Sequence, residues 1–125
     1  MIKTLSTSSA PAAIGPYSQA KVVGNLLFTS GQIPLVPETM EMVTGSIQVQ
    51  TERVLQNLDA VLREAGTGWD RVIKTTVFLT DMGDFGTFNT VYEQHLGGAK
   101  PARSTVQVAA LPKGAKVEIE LIAEV

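Results

Sequence analysis

Val117-Glu118-Ile119-Glu120-Leu121-Ile122-Ala123 interleaves two glutamates with apolar residues, the pattern of a half-buried strand. As a strand of period two it sets Val117, Ile119 and Leu121 on one face and Glu118 and Glu120 together on the other. Two anionic side chains on one face of an otherwise apolar strand need solvent, a cationic partner or a chemical task. Upstream, Pro101-Ala102-Arg103-Ser104-Thr105-Val106 sets an arginine at the head of a second strand, read over residues 104–109. The proline ring restricts Lys100 and stiffens that approach. Arg103 is then either a structural ion-pair partner of Glu118 or Glu120, or a planar fork that grips a substrate carboxylate while a glutamate moves protons.

Leu111-Pro112-Lys113-Gly114 reads as the turn between these two strands, and the last strand extends over residues 116–124. Val72-Ile-Lys-Thr-Thr-Val-Phe-Leu79 is β-branched and apolar, as in a central strand. Between it and the final pair, Asp81 is expected to cap a helix running to Leu96, with Asp84 as its capping-box partner and Gly97-Gly98 as the stop. Ile47, Val54, Leu58, Val61, Leu62 and Ala65 recur at helical steps, predicting a helix over Ser46–Ala65 with Ser46 as N-cap and Gly66 just past its end. Gln19–Val23 and Leu26–Ser30 flank Gly24-Asn25, a two-residue hairpin signal. Residues 2–5 read as a short first strand, and residues 6–16, rich in small residues and broken by Pro11, Gly15 and Pro16, as a loop.

The resulting order, a short strand and then β-β-α-β-α-β-β, describes an α+β domain over residues 1–125: one mixed sheet with both helices on one face. The other sheet face is left bare, and self-association is the economical way to cover it.

Composition narrows the function. The chain has 125 residues, 44% of them hydrophobic, enough for one core, and its net charge of -2 comes from ten basic and twelve acidic residues with no basic run. Nucleic acid is therefore not expected as the main partner. The absence of cysteine removes disulfides, thiolate nucleophiles and zinc–thiolate sites, and fits a cytoplasmic location. A single histidine, His95, makes a histidine-based metal site untenable, so no metal is expected. The N-terminus lacks the long apolar run of a signal peptide, and no segment approaches the ~18 apolar residues of a membrane helix.

Among the remaining polar residues, Asn89 shares a helix face with Phe85, Tyr92 and Leu96, as a satisfied core amide or as a group that meets a ligand or a neighbouring subunit. Tyr17 follows the Gly15-Pro16 turn, which fixes its backbone. The Ser30-Gly31-Gln32 turn presents backbone N–H groups suited to an anion. Trp69 and Met40 read as packing or surface residues. A carboxyl in the Glu118–Glu120 pair that faced a cleft would be raised in pKa by desolvation and become a competent proton carrier.

These residues resemble the YjgF/Rid family along almost the whole chain. Ala10-Pro-Ala-Ala-Ile-Gly-Pro-Tyr-Ser-Gln-Ala20 and Thr29-Ser-Gly-Gln-Ile-Pro34 resemble its N-terminal signature. Val72–Leu79 with Asp81-Met82, Asp84-Phe85 and Asn89-Thr-Val-Tyr92 resembles its middle, and Pro101–Val106, Leu111–Gly114 and Val117–Glu120 resemble its end. The resemblance implies a chorismate-mutase-like domain assembled as a homotrimer around a central β-barrel, with active sites in clefts between subunits. It implies hydrolysis of reactive 2-imino acids such as 2-iminobutanoate and 2-iminopropanoate to 2-oxo acids and ammonia, without a cofactor. Arg103 matches the arginine that binds the substrate carboxylate, and Glu118 the glutamate that activates water. Tyr17, Ser30, Gly31, Asn89 and Thr105 match positions lining the cleft, and Glu120 is the weaker candidate of its pair. Thr105 stands where some members carry cysteine, Met40 where a glycine is common, and the Gly97–Lys100 connection is short. A small-carboxylate binding or sensing module without turnover is the alternative. A ribonuclease reading attached to some relatives is disfavoured by the charge and by the lack of a histidine pair.

Overall fold

The structure is a computed structural model describing residues 1–125. Its strands are β1 (Ile2–Leu5), β2 (Ala20–Val23), β3 (Leu26–Thr29), β4 (Val72–Leu79), β5 (Ala102–Gln107) and β6 (Val117–Glu124), and its helices are α1 (Ile47–Glu64) and α2 (Phe85–Leu96). The six strands form one mixed sheet in the order β1-β2-β3-β6-β4-β5. Only β4 and β5 pair in parallel; every other neighbouring pair is antiparallel. Parallel strands need a crossover, which α2 supplies between β4 and β5. β3 and β4 also run the same way, with β6 between them, and α1 is their crossover. Both crossovers step in the same direction across the sheet, so a common hand lays both helices on one face. The α+β layout expected from the sequence is the one observed.

The alternation of β6 sets the two faces. Val117, Ile119, Leu121 and Ala123 are buried, whereas Glu118, Glu120, Ile122 and Glu124 are not. The buried side packs with Val77 and Leu79 of β4, Leu27 of β3 and the stripe Val54, Leu55, Leu58, Val61 and Leu62 of α1. Each such side chain contributes roughly 1.5–3 kcal/mol relative to an exposed one. On the opposite face no element covers the sheet, and Phe28 and Val106 remain 40% and 43% exposed.

The ends of α1 follow the sequence. The Ser46 hydroxyl accepts from Val49 N. Gly66, at φ +76°, donates to Arg63 O while Thr67 N donates to Leu62 O, the paired bonds of a Schellman ending. The start of α2 differs from expectation. Asp81 caps a short 3-10 turn, Met82–Asp84, through Gly83 N at 2.8 Å, and the α-helix begins only at Phe85, with Asp84 making no capping bond. The Asp81 side chain is spent one turn too early for a capping box.

The fifth strand also moves. It starts at Ala102, directly after Pro101, so Arg103 lies inside the strand, opposite Thr75, rather than ahead of it. It ends at Gln107 because β4 ends at Leu79, whose carbonyl takes the last bond from Val108 N. β5 and β6 are not hairpin partners: the turn at Pro112–Gly114 carries the chain across β4 to its far side. No helix is long and apolar enough to cross a membrane.

Candidate active site

Glu118 sits on the uncovered face, opposite Phe78 of β4. The chain after β3 runs alongside it, because Gln32 and Ile119 exchange both backbone bonds, at 2.8 and 3.1 Å. This brings Gly31 against the Glu118 side chain. A Cβ at residue 31 would lie 2.7 Å from the Glu118 Cδ, so only glycine leaves room for the carboxyl. Tyr17, Ser30, Gly31, Lys113 and Glu118 line one cleft of about 440 Å³. Burial in this cleft pushes the Glu118 pKa up, and the negative charge of Glu120 pushes it the same way. No cation lies within ion-pair distance of Glu118; the two ion pairs of the chain are Arg71–Glu124 and His95–Asp59.

Arg103 occupies the other face. Thr75, its partner in the parallel register, is fully buried under α2, and Arg103 follows it to the helix side. There Nη1 donates to Asn89 Oδ1 at 2.8 Å, and the guanidinium carbon lies 5.0 Å from the centre of the Tyr92 ring and 5.5 Å from that of Phe85. Aromatic faces and an amide stabilise the cation without neutralising it. The Tyr92 hydroxyl is bonded to the Thr75 hydroxyl at 2.8 Å. Burial raises the Tyr92 pKa, against the opposing effects of Thr75 and the Arg103 charge. Two strand positions beyond Arg103, the buried Thr105 hydroxyl has no hydrogen-bond partner.

The structural ion pair left open by the sequence, Arg103 with Glu118 or Glu120, is therefore absent: alternation sends the guanidinium and both carboxylates to opposite faces. Within one chain the expected site residues fall into two groups. Tyr17, Ser30, Gly31 and Glu118 share the cleft; Arg103, Asn89 and Thr105 gather beside α2. Asn89, ambiguous in the sequence, is the hydrogen-bond acceptor of Arg103.

Other polar residues emerge only in three dimensions. Asn57 of α1 is fully buried and donates to Ile33 O and Leu35 O at 3.3 and 2.9 Å, holding the loop after Gly31. Trp69, read as packing or surface, donates Nε1–H to Asp59 Oδ1 at 2.6 Å, and the same carboxylate meets His95 Nε2 at 2.8 Å. Burial alone would raise the Asp59 pKa, but these bonds and the nearby His95 and Arg63 charges lower it. His95 is thus occupied in tying α2 to α1. Met40 adopts φ +61°, a left-handed conformation that suits the glycine expected there.

The sequence model of the family described as Endoribonuclease L-PSP matches residues 7–125. A protein of Mus musculus named 2-iminobutanoate/2-iminopropanoate deaminase is 49% identical over 121 residues, covering 97% of this chain and 90% of its own. Among solved structures, the Rid-family protein YyfA of Yersinia pestis superposes with a TM-score of 0.98 at 49% identity over the full length of both chains. TdcF of E. coli, crystallised with bound serine, gives 0.93 at 46% identity, covering 98% of each chain. With a family model spanning nearly the whole chain and relatives at about half identity, this chain belongs to the YjgF/Rid family.

Proposed function

We propose that this protein hydrolyses reactive 2-imino acids such as 2-iminobutanoate and 2-iminopropanoate to 2-oxo acids and ammonia, at sites that two subunits of a homotrimer build together. The observation that carries the reading is Glu118: a carboxyl desolvated in a cleft, fitted against Gly31 and lacking a cationic partner, with its pKa raised by that burial. A pure carboxylate receptor gains nothing from a negative charge there, whereas a proton carrier does. The name of the mouse relative supports the substrate class.

In this mechanism Arg103 of one subunit holds the substrate carboxylate through charge-assisted bonds, its plane set by Tyr92, Phe85 and Asn89. Glu118 of the next subunit accepts a proton from a water attacking the iminium carbon, and a carbinolamine forms. Glu118 returns that proton to nitrogen, then takes the hydroxyl proton as ammonia departs and the C=O bond forms. Tyr17, Ser30, Gly31 and Thr105 line the cleft, with backbone N–H groups near Gly31 and Thr105 fixing the carboxylate. The uncovered sheet face, with Phe28 and Val106, is the surface the subunits bury around a central barrel. A nuclease reading finds little support here, since the sole histidine is engaged with Asp59 and the net charge is -2.

The test is a coupled assay in which threonine dehydratase generates 2-iminobutanoate and 2-oxobutanoate release competes with semicarbazide trapping. Faster release with this protein, lost in Arg103→Ala, is expected. No acceleration, with 2-oxobutanoate still bound, would replace catalysis by the second reading, a receptor for small carboxylates. The serine bound by the TdcF relative favours that alternative.

A further inference from the structure

Between β1 and β2 the chain runs through residues 6–19 without helix or strand. A loop of that length is held together by something or else is mobile. Ala10 anchors it in the core, and most of the hydrogen bonds that shape it come from one side chain. Gln19 is 4% exposed, and its polar atoms are all directed into the loop. Oε1 accepts from Thr7 N at 2.7 Å, and Nε2 faces the carbonyls of Thr7, Ala10 and Pro11 at 3.0, 3.2 and 2.7 Å. Ser30 fastens the far end, its hydroxyl donating to Ser18 O at 2.5 Å and its N–H to Gln19 O at 2.9 Å. Inside the clamped segment, Tyr17 N donates to Gly15 O at 2.9 Å.

The segment so fixed supplies Pro11, Ile14 and Tyr17 to the wall of the Glu118 cleft. Ile14 and Tyr17 are 62% and 51% exposed, so packing alone does not hold them there. A loop already in its ligand-ready form loses little conformational freedom when a ligand arrives; a loose one must be ordered on every binding event. Gln19 also borders the cleft, but both of its amide atoms are already bonded within the loop, so its contribution to binding runs chiefly through the loop.

We propose that Gln19 is a positioning residue: its buried amide keeps residues 7–18 in the form that walls the cleft, and this clamp sets how tightly the protein takes up small 2-oxo and 2-imino acids. The ligand class rests on the function proposed above; the clamp does not depend on turnover.

The experiment compares wild type with Gln19→Met, which preserves length without hydrogen bonds, and Gln19→Glu, which preserves shape but removes the donors. Three quantities are read: the Kd for 2-oxobutanoate by calorimetry, KM and kcat in the coupled assay, and hydrogen exchange of individual amides. In both variants Kd and KM should rise about tenfold with kcat within about twofold. In Gln19→Met the Thr7 amide should lose protection while interior α1 amides such as Leu58 keep theirs; Gln19→Glu keeps an acceptor for Thr7 N and loses only the bonds to the carbonyls of Thr7, Ala10 and Pro11. A Kd within about twofold of wild type alongside a deprotected Thr7 amide would overturn the proposal. Wild-type protein gives a measurement independent of variant folding: saturating 2-oxobutanoate should leave Thr7 protection unchanged, and a large gain would show a loop ordered by ligand rather than by Gln19. Binding without turnover in wild type would remove the deaminase reading and leave the clamp standing; no binding at all would remove the clamp.

Discussion

Arg103 and Glu118 stand on opposite faces of one sheet, two strands apart, with Arg103 beside Thr75 under α2 and Glu118 beside Phe78 in the cleft of the helix-free face. No side-chain rotation brings them around one small substrate. If both serve one reaction, each site takes its arginine from one chain and its glutamate from another. Arg103→Ala and Glu118→Gln, each close to inactive alone, should then complement when unfolded together and reassembled. In the proposed trimer, random mixing makes about three quarters of the assemblies mixed, each with one intact site in three, so about a quarter of wild-type activity returns. A mixture as inactive as its components would exclude the shared site.

Glu118→Gln separates chemistry from binding. It should abolish turnover while 2-oxobutanoate still binds, because the amide keeps the shape of the carboxyl against Gly31. The raised pKa of Glu118 also makes a statement about stability. The fold favours the neutral carboxyl, so Glu118 costs nothing below the ordinary glutamate range and becomes a burden as pH rises through its elevated folded value. Glu118→Gln should therefore have a higher Tm than wild type at pH 8, with the difference vanishing near pH 4. In wild type, kcat/KM should fall as acid protonates Glu118, at a pH above that of an ordinary glutamate. An unchanged Tm at pH 8 would contradict a desolvated carboxylate.

Much of this was legible in the residues, and the parts that were not share a cause. Val117–Ala123 announced its two faces because period-two alternation is local, and Ser46 and Gly66 marked α1 because caps are local chemistry. Whether Arg103 met Glu118 was not local. It depended on β6 entering between β3 and β4 while β5 went to the far edge, and no pattern within either strand encodes that order. The α2 start was misplaced because Asp81 and Asp84 both look like caps, and only backbone geometry decides which carboxylate oxygen finds an N–H. Gln19 reads in the sequence as the first residue of a strand that in fact begins at Ala20, and Asn57 carries no local signal; an amide reveals itself as a clamp only once its carbonyl partners are folded around it.

Gly31 offers a test of the Glu118 geometry that leaves every titrating group in place. A methyl group on residue 31 would overlap the carboxyl, with its Cδ only 2.7 Å away. Glu118 is the softer party, so Gly31→Ala should fold and displace the carboxylate. Misplacement of a catalytic group by about 1 Å costs on the order of 100-fold in rate. The expected result is that loss in kcat with a near-native circular dichroism spectrum. Wild-type kcat in Gly31→Ala would show that the position of Glu118 against this turn is irrelevant to the reaction.

Tyr92 carries two interactions that substitution can pull apart. Its ring lies under the Arg103 guanidinium, and its hydroxyl satisfies Thr75, which is fully buried. Tyr92→Phe keeps the ring and orphans the Thr75 hydroxyl. Stability should fall by about 1 kcal/mol or slightly more, roughly 4 °C or more in Tm, while 2-oxobutanoate binding stays within about twofold. Tyr92→Leu removes the aromatic face as well, so the guanidinium loses about 1 kcal/mol of orientation and Kd should rise roughly fivefold. The two variants thus separate in binding, although both lose stability. If Tyr92→Phe weakened binding as much as Tyr92→Leu, the hydroxyl bridge to Thr75 would be what aims the arginine, by holding α2 at its distance from β4. The ring would then be packing, and Asn89 and Phe85 would be left as the groups that orient Arg103 directly.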